Sequence, residues 1–141
     1  MSIFYQNPVL KTTNTLSQEE SKHCAQVLRH TAGDEILVFD GQGCRYTGIL
    51  TKVSKSACEF EVKSTEHFPK KPFSVHLAIA PTKNTDRMEW MVEKLCEIGV
   101  DQLTFLVTQH SERRKLRLDR MEKKVISAMK QSKNPFKLHI N

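Results

Sequence analysis

Residues 83–100, KNTDRMEWMVEKLCEIGV, constrain the fold more than any other stretch. Met88, Met91, Val92, Leu95 and Ile98 recur at the spacing of one helix face. Gly99 follows, where a helix end favours a left-handed residue. Short apolar runs flank this helix at residues 74–80 and 102–107. The first is nearly continuous, which predicts a parallel strand covered on both faces. Strand, helix and strand in this order require parallel pairing through a crossover. The pattern then repeats: Asp119, with Glu122 three residues on, predicts the cap of a helix to about residue 132. Met121, Val125, Ile126 and Met129 would line its buried face, Asn134-Pro135 would stop it, and residues 137–140 would begin a third strand.

The preceding part differs. Residues 66–72, EHFPKKP, break the periodicity as a linker does. Before them, Ser17 and Glu20 form a capping-box pattern ahead of a helix that places Cys24, Val27 and Leu28 on one face. Strands are expected at 35–39, 46–53 and 57–63, with Asp40-Gly41-Gln42-Gly43 as a hairpin between the first two. Short strands at this spacing suggest a small β-barrel. The expected organisation is α+β overall, with a barrel over residues 1–72 and an α/β sheet over residues 73–141.

Composition narrows the function. The chain of 141 residues is 38% hydrophobic and 27% charged, a globular balance. Its apolar runs are too short to span a bilayer, and its first residues lack a secretory signal, so a cytoplasmic protein is expected. None of the 4 cysteines or 6 histidines falls in a metal-ligand spacing, so no metal is expected. The formal charge of +6 is uneven: residues 111–137 carry 10 Lys/Arg against 3 Asp/Glu. Such a field favours an anionic partner, although a charge run is most often a solvated helix face.

Ligands of open α/β sheets bind beyond the carboxyl ends of the strands. That rule selects the loop at 81–86, with Lys83 and nearby Arg87, and the loop at 108–114, with His110, Ser111, Glu112, Arg113 and Arg114. Arginine forks suit phosphate. Glycine-rich phosphate loops of the usual spacings are absent. Glu93 and Glu97 lie four apart and need a nearby cation. Trp90 suits packing better than base stacking.

Several segments then line up in order: His23 with Val27-Leu28-Arg29, Gly33-Asp34, Phe39-Asp40-Gly41-Gln42-Gly43, Lys83, Arg87-Met88-Glu89, Glu93-Lys94, Glu97-Ile98-Gly99-Val100, Ser111-Glu112-Arg113, and Ala128 with Gln131-Ser132. As an ordered set they resemble the ribosomal RNA small subunit methyltransferase E family. That resemblance implies a PUA-like RNA-binding barrel, then a SPOUT-type parallel α/β domain, and homodimers without metal. It implies methylation of uridine N3 in 16S rRNA of the small ribosomal subunit by S-adenosylmethionine. The uridine N3 proton must leave, which calls for a base or an anion-stabilising field. Arg113 is the expected substrate-orienting residue, and Glu112 would orient it or handle a proton. Arg29, Lys83, Arg87, Arg113, Arg114, Lys115, Arg117 and Lys124 are the expected RNA contacts.

Family members continue about a hundred residues further, a half-domain by usual sizes. The glycine-rich cofactor loops and the knot belong to that part, so no cofactor residue is expected here, nor tight cofactor binding or activity of this chain alone. A sheet ending at its third strand should leave unpaired edges and uncovered apolar surface, favouring self-association. The alternative is an RNA-binding module without catalysis.

Overall fold

The computed structural model describes residues 1–111 and 115–141. The chain forms two compact units, Met1–Pro69 and Lys70–Asn141.

The first unit is a curled five-stranded sheet in the order β1-β3-β4-β5-β2. Its strands are β1 (Ile3–Tyr5), β2 (Thr13–Thr15), β3 (Glu35–Phe39), β4 (Cys44–Lys52) and β5 (Glu59–His67). Strands β3, β4 and β5 form an antiparallel meander, β2 joins β5 antiparallel, and β1 runs parallel to β3. The hairpin between β3 and β4 forms where the sequence expects it. Gly41 (φ 76) and Gly43 (φ 101) take left-handed conformations there. Asp40 Oδ1 accepts the amides of Gln42 and Cys44, at 2.8 and 3.1 Å, which closes the turn. Phe4, Leu16, Ile36, Val38, Leu50 and Phe60 fill the core, joined by Cys24 and Cys58.

The helix of this unit departs from expectation. Ser17 caps α1 (Gln18–Lys22), its hydroxyl accepting the Glu20 amide at 3.2 Å. The Glu20 carboxylate accepts the Tyr5 amide at 2.9 Å, tying β1 to the helix. The chain then widens into a π-turn over His23–Val27. The Leu28 amide reaches back five residues to the His23 carbonyl, at 3.0 Å. A wider turn rotates each residue less about the axis. Cys24 is buried, but Val27 and Leu28, expected on the same face, point outward with 65% and 39% exposure.

The second unit is a three-stranded parallel sheet in the order β6-β7-β8. Its strands are β6 (His76–Ile79), β7 (Gln102–Phe105) and β8 (His139–Ile140), with α2 (Thr85–Ile98) and α3 (Leu118–Ser132) in the crossovers. This is the β-α-β-α-β order read from sequence. Asn84 caps α2, its Oδ1 accepting the Arg87 amide, and left-handed Gly99 (φ 92) ends it. Met88, Val92, Leu95 and Cys96 of α2 meet Met121, Val125 and Ala128 of α3, over Leu103 and Leu138. Ile98, expected in the stripe, is 75% exposed, and Cys96 is buried in its place. Helix α3 starts two residues earlier than expected. Arg117 is its N-cap residue, and Asp119 lies in the first turn.

Helices cover one face of this sheet. Leu103 and Leu138, with partly buried Ile79, Phe105 and Ile140, point to them. Strand alternation turns His76, Ala78, Gln102, Thr104, His139 and Asn141 the other way. The expected coverage of β6 on both faces is thus corrected: β6 is an edge strand, exposed over most of its length. Nor is the open face apolar. Thr104 Oγ1 lies 2.7 Å from His76 Nε2 and 2.6 Å from Asn141 Oδ1, a polar chain across the strands. Exposed apolar side chains gather instead on and before β6, at Phe73, Val75 and Leu77.

Asp101 pins the start of this sheet. Its Oδ2 accepts the Val75 amide at 2.7 Å and the Lys71 ammonium at 3.1 Å, and both hold the carboxyl below its ordinary range. A depressed carboxyl stabilises the fold above its unfolded value near pH 4, and that stability is lost as pH falls through the folded value. The carboxylate is half-exposed, so solvent screening limits the contribution to about 1 kcal/mol. Asp101→Ala should lower stability by about that amount at pH 7 and have a smaller effect near pH 2. Urea unfolding at the two pH values checks this; an equal loss at both would remove the carboxylate from the explanation.

Candidate functional site

Parallel strands bring their carboxyl ends to one edge. The loop after β6 and the segment after β7 therefore emerge together. Lys83 lies exposed in the first loop, and Arg87 in the first turn of α2. Residues 108–111 open the second segment as a closed turn: Ser111 Oγ accepts the Thr108 amide at 2.7 Å, and the Ser111 amide donates back to the Thr108 carbonyl at 3.2 Å. Exposed Lys115 and Arg117 return the chain to α3 at the same edge. Arg117 donates to Asp119 Oδ2 at 2.9 Å. Glu112, Arg113 and Arg114 lie outside the described residues.

Lys83, Arg87, Lys115 and Arg117 thus share one sheet edge, but Lys124 does not join them. It lies midway along α3 and pairs with Glu93 of α2 at 3.3 Å, beside an Arg120–Glu89 pair. Lys94 holds Glu97 at 3.2 Å. These pairs supply the cations that Glu93 and Glu97 require, and they give the α2 carboxylates a structural role. Trp90 is 62% exposed and takes no part in the core.

Arg29 belongs to the first unit, at the end of the π-turn. It adopts a left-handed backbone (φ 54), which costs a side-chain-bearing residue about 1–2 kcal/mol. Its neighbour His30 is held on three sides. The ring lies edge-on to Phe4 (6.2 Å between centroids), Nδ1 is 2.9 Å from Asp34 Oδ2, and Nε2 is 2.7 Å from Ser2 Oγ. The Thr31 amide and His30 hold the Asp34 carboxyl below its ordinary range. Nothing in the residue pattern announced the widened turn, although the run Val27-Leu28-Arg29 was singled out.

The thiols offer no ready nucleophile in either core. Burial pushes Cys24 and Cys96 up to about 12, so both stay protonated at neutral pH. Among the described residues, no group of three or more His, Cys, Asp or Glu could hold a metal. No helix among them is long and apolar enough to cross a membrane.

Among the described residues, the sheet edge carries no glycine. Close approach of backbone to a bound nucleoside needs glycine-rich loops. Four of the 5 glycines, at 33, 41, 43 and 48, lie in the first unit. The fifth, Gly99, precedes β7, at the opposite end of the sheet from Lys83. The described residues of this edge supply no glycine-rich cradle for S-adenosylmethionine.

A curled sheet of PUA type followed by a parallel α/β unit of SPOUT type defines a class of RNA-modifying proteins. Residues 69–141 match the model of an RNA methyltransferase domain, and residues 16–63 that of an RNA methyltransferase PUA domain. The chain belongs to the RNA methyltransferase family. It is similar to the ribosomal RNA small subunit methyltransferase E of Neisseria gonorrhoeae, solved bound to S-adenosylmethionine: 28% identity, TM-score 0.88, covering 100% of this chain and 60% of that one. A probable rRNA methyltransferase of Porphyromonas gingivalis is 37% identical, with TM-score 0.83 and coverage of 100% and 60%. The chain thus spans about 60% of the length of these relatives.

Proposed function

We propose that this chain is the RNA-binding unit and the first part of the catalytic unit of an S-adenosylmethionine-dependent methyltransferase that acts on uridine N3 of 16S rRNA. The observation that carries this reading is the placement of the family's ordered residues. Lys83 and Arg87 fall at the carboxyl edge of β6, the edge where an α/β sheet receives its ligand, and Ser111-Glu112-Arg113 come after β7 in the sequence. Arg113 would orient the uridine, and Glu112 would orient Arg113 or handle the N3 proton. Arg29, Lys83, Arg87, Arg113, Arg114, Lys115, Arg117 and Lys124 would meet the RNA, with Lys124 doing so only by sharing its charge with Glu93. A cytoplasmic homodimer acting on the small ribosomal subunit completes the proposal.

The missing cradle favours a second reading for the 141 residues by themselves, an RNA-binding module without catalysis. Calorimetric titration with S-adenosylmethionine tests whether the 141 residues bind the cofactor by themselves. The chain is expected to show no micromolar binding, yet to bind a 16S rRNA fragment in a salt-dependent way. Micromolar cofactor binding would move the site into these residues and favour autonomous methyl transfer. Failure to bind the fragment at 50 mM salt would sink the rRNA reading.

A further inference from the structure

In the segment KHCAQVLRH, residues 22–30, three independent features coincide. The first is exposed apolar surface: at the π-turn over His23–Val27, Val27 and Leu28 stand 65% and 39% exposed while Cys24 stays in the core. The second is a backbone held off its preferred geometry. The His30 amide reaches back to the Cys24 carbonyl at 3.0 Å, and Arg29 between them is left-handed. The third is charge: Lys22 and Arg29 bracket the apolar pair, and no acidic residue stands between Ser21 and Gly33.

Exposed aliphatic side chains and a left-handed arginine each oppose folding. They persist because the surroundings hold them: Phe4 packs edge-on to both His23 and His30, at 6.4 and 6.2 Å. Backbone held this way, and π-turns in particular, cluster where proteins clamp ligands. Two side chains are too small an area for a stable protein interface, which needs about 1,000 Å² or more. They match the face of one unstacked base, and the flanking cations match its phosphates.

We propose that Val27, Leu28 and Arg29 form a contact for an unpaired nucleotide of RNA. The two aliphatic side chains take the face of a splayed base, while Arg29 and Lys22 take the adjoining phosphates. This rests on the RNA reading above and goes beyond it, because it makes the first unit selective for unpaired over paired RNA. A duplex stacks its bases inside and offers this surface phosphates, 2′-hydroxyls and base edges but no base face.

Fluorescence anisotropy with the 141-residue chain tests it. The probes are a labelled RNA hairpin with an all-uridine loop and a blunt duplex of the same stem. Val27→Ser with Leu28→Ser should weaken hairpin binding about tenfold, the scale of one lost stacking contact. It should leave duplex binding and the salt dependence unchanged. Arg29→Gly suits the left-handed backbone, so its melting temperature should stay near wild type. Its hairpin affinity should fall, and its log–log salt slope should flatten by about 0.7. If the wild type prefers the hairpin and the variants bind it equally well, the contact is wrong while the RNA reading stands. If the wild type binds neither probe, the RNA reading fails and takes this inference with it. Light scattering that shows the serine pair changing self-association, with hairpin binding intact, overturns the proposal in favour of a protein interface.

Discussion

Phe60→Ala should cost the first unit about 3–5 kcal/mol, a large part of the roughly 5–15 kcal/mol that holds an ordinary domain together. Phe60 is wholly buried in β5, in the core that Ile36 and Leu50 also fill. Its ring lies over Gly48 of β4. A Cβ added at Gly48 would stand 2.8 Å from Phe60 Cδ2 and 3.4 Å from the Glu61 carbonyl oxygen. Ring and glycine are therefore one packing decision, in which the missing side chain makes room for the large one. Gly48→Ala should cost about 1–3 kcal/mol by overpacking. Combined with Phe60→Leu, which frees space, it should cost less than the sum of the single changes. Urea unfolding of the four proteins checks both statements. Strict additivity would show that the ring moves aside freely and that Gly48 is not reserved for it.

That pair also marks a limit of what the residues disclose. Local signals were readable because the physics behind them is local. Gly99 ends α2 because a left-handed residue must stand there, and Gly41 and Gly43 close the hairpin for the same reason. The stripe of α2 was legible through Leu95. It failed at Ile98, which lies to one side of the face that Met88, Val92, Leu95 and Cys96 bury. Non-local pairing left no such trace. Strand β1 runs parallel to β3 across thirty-odd residues, and β2 joins β5 from the far side of α1. Nothing in IFY or TNT names those partners. The π-turn was invisible because an α-helical spacing fits the same letters. It took the core positions of Ser21 and Cys24 to show that Val27 and Leu28 cannot follow them inward.

The open face of the second sheet teaches a related point. Its strands read as apolar runs, which suggested an apolar surface left bare. Alternation sends Leu77, Ile79, Leu103 and Phe105 one way and His76, Ala78, Gln102 and Thr104 the other. The polar set is interspersed closely enough to look like interruption rather than pattern. For the site, the strand-end rule placed Lys83 and Arg87 at the edge, because parallel pairing alone determines where loops emerge; the rule did not name Lys115 and Arg117, which reach that edge as the chain returns to α3. The engagement of Lys124 by Glu93 depended on the packing of α3 against α2, which spacing within either helix does not contain.

Replacing Lys83, Arg87 and Lys115 together with alanine should weaken binding to an unpaired RNA about a hundredfold at 0.1 M salt. Each phosphate contact on a single strand contributes a slope of about 0.7 in log affinity against log salt, or about fivefold at 0.1 M relative to 1 M. Three lost contacts multiply to about a hundredfold and flatten the slope by about 2. All three side chains are exposed, so secondary structure should survive and far-ultraviolet circular dichroism should match wild type. Lys124→Ala is the contrasting case. It leaves Glu93 without its cation on the α2–α3 seam, and should lower stability slightly while moving the salt slope much less. The comparison has a definite failure: if Lys124→Ala flattens the slope as much as one of the edge residues does, the α3 surface carries RNA contacts and the sheet edge is not the whole site. A triple variant with wild-type slope would remove the edge from RNA binding altogether, and the positive charge of the second unit would then be a solvated helix face.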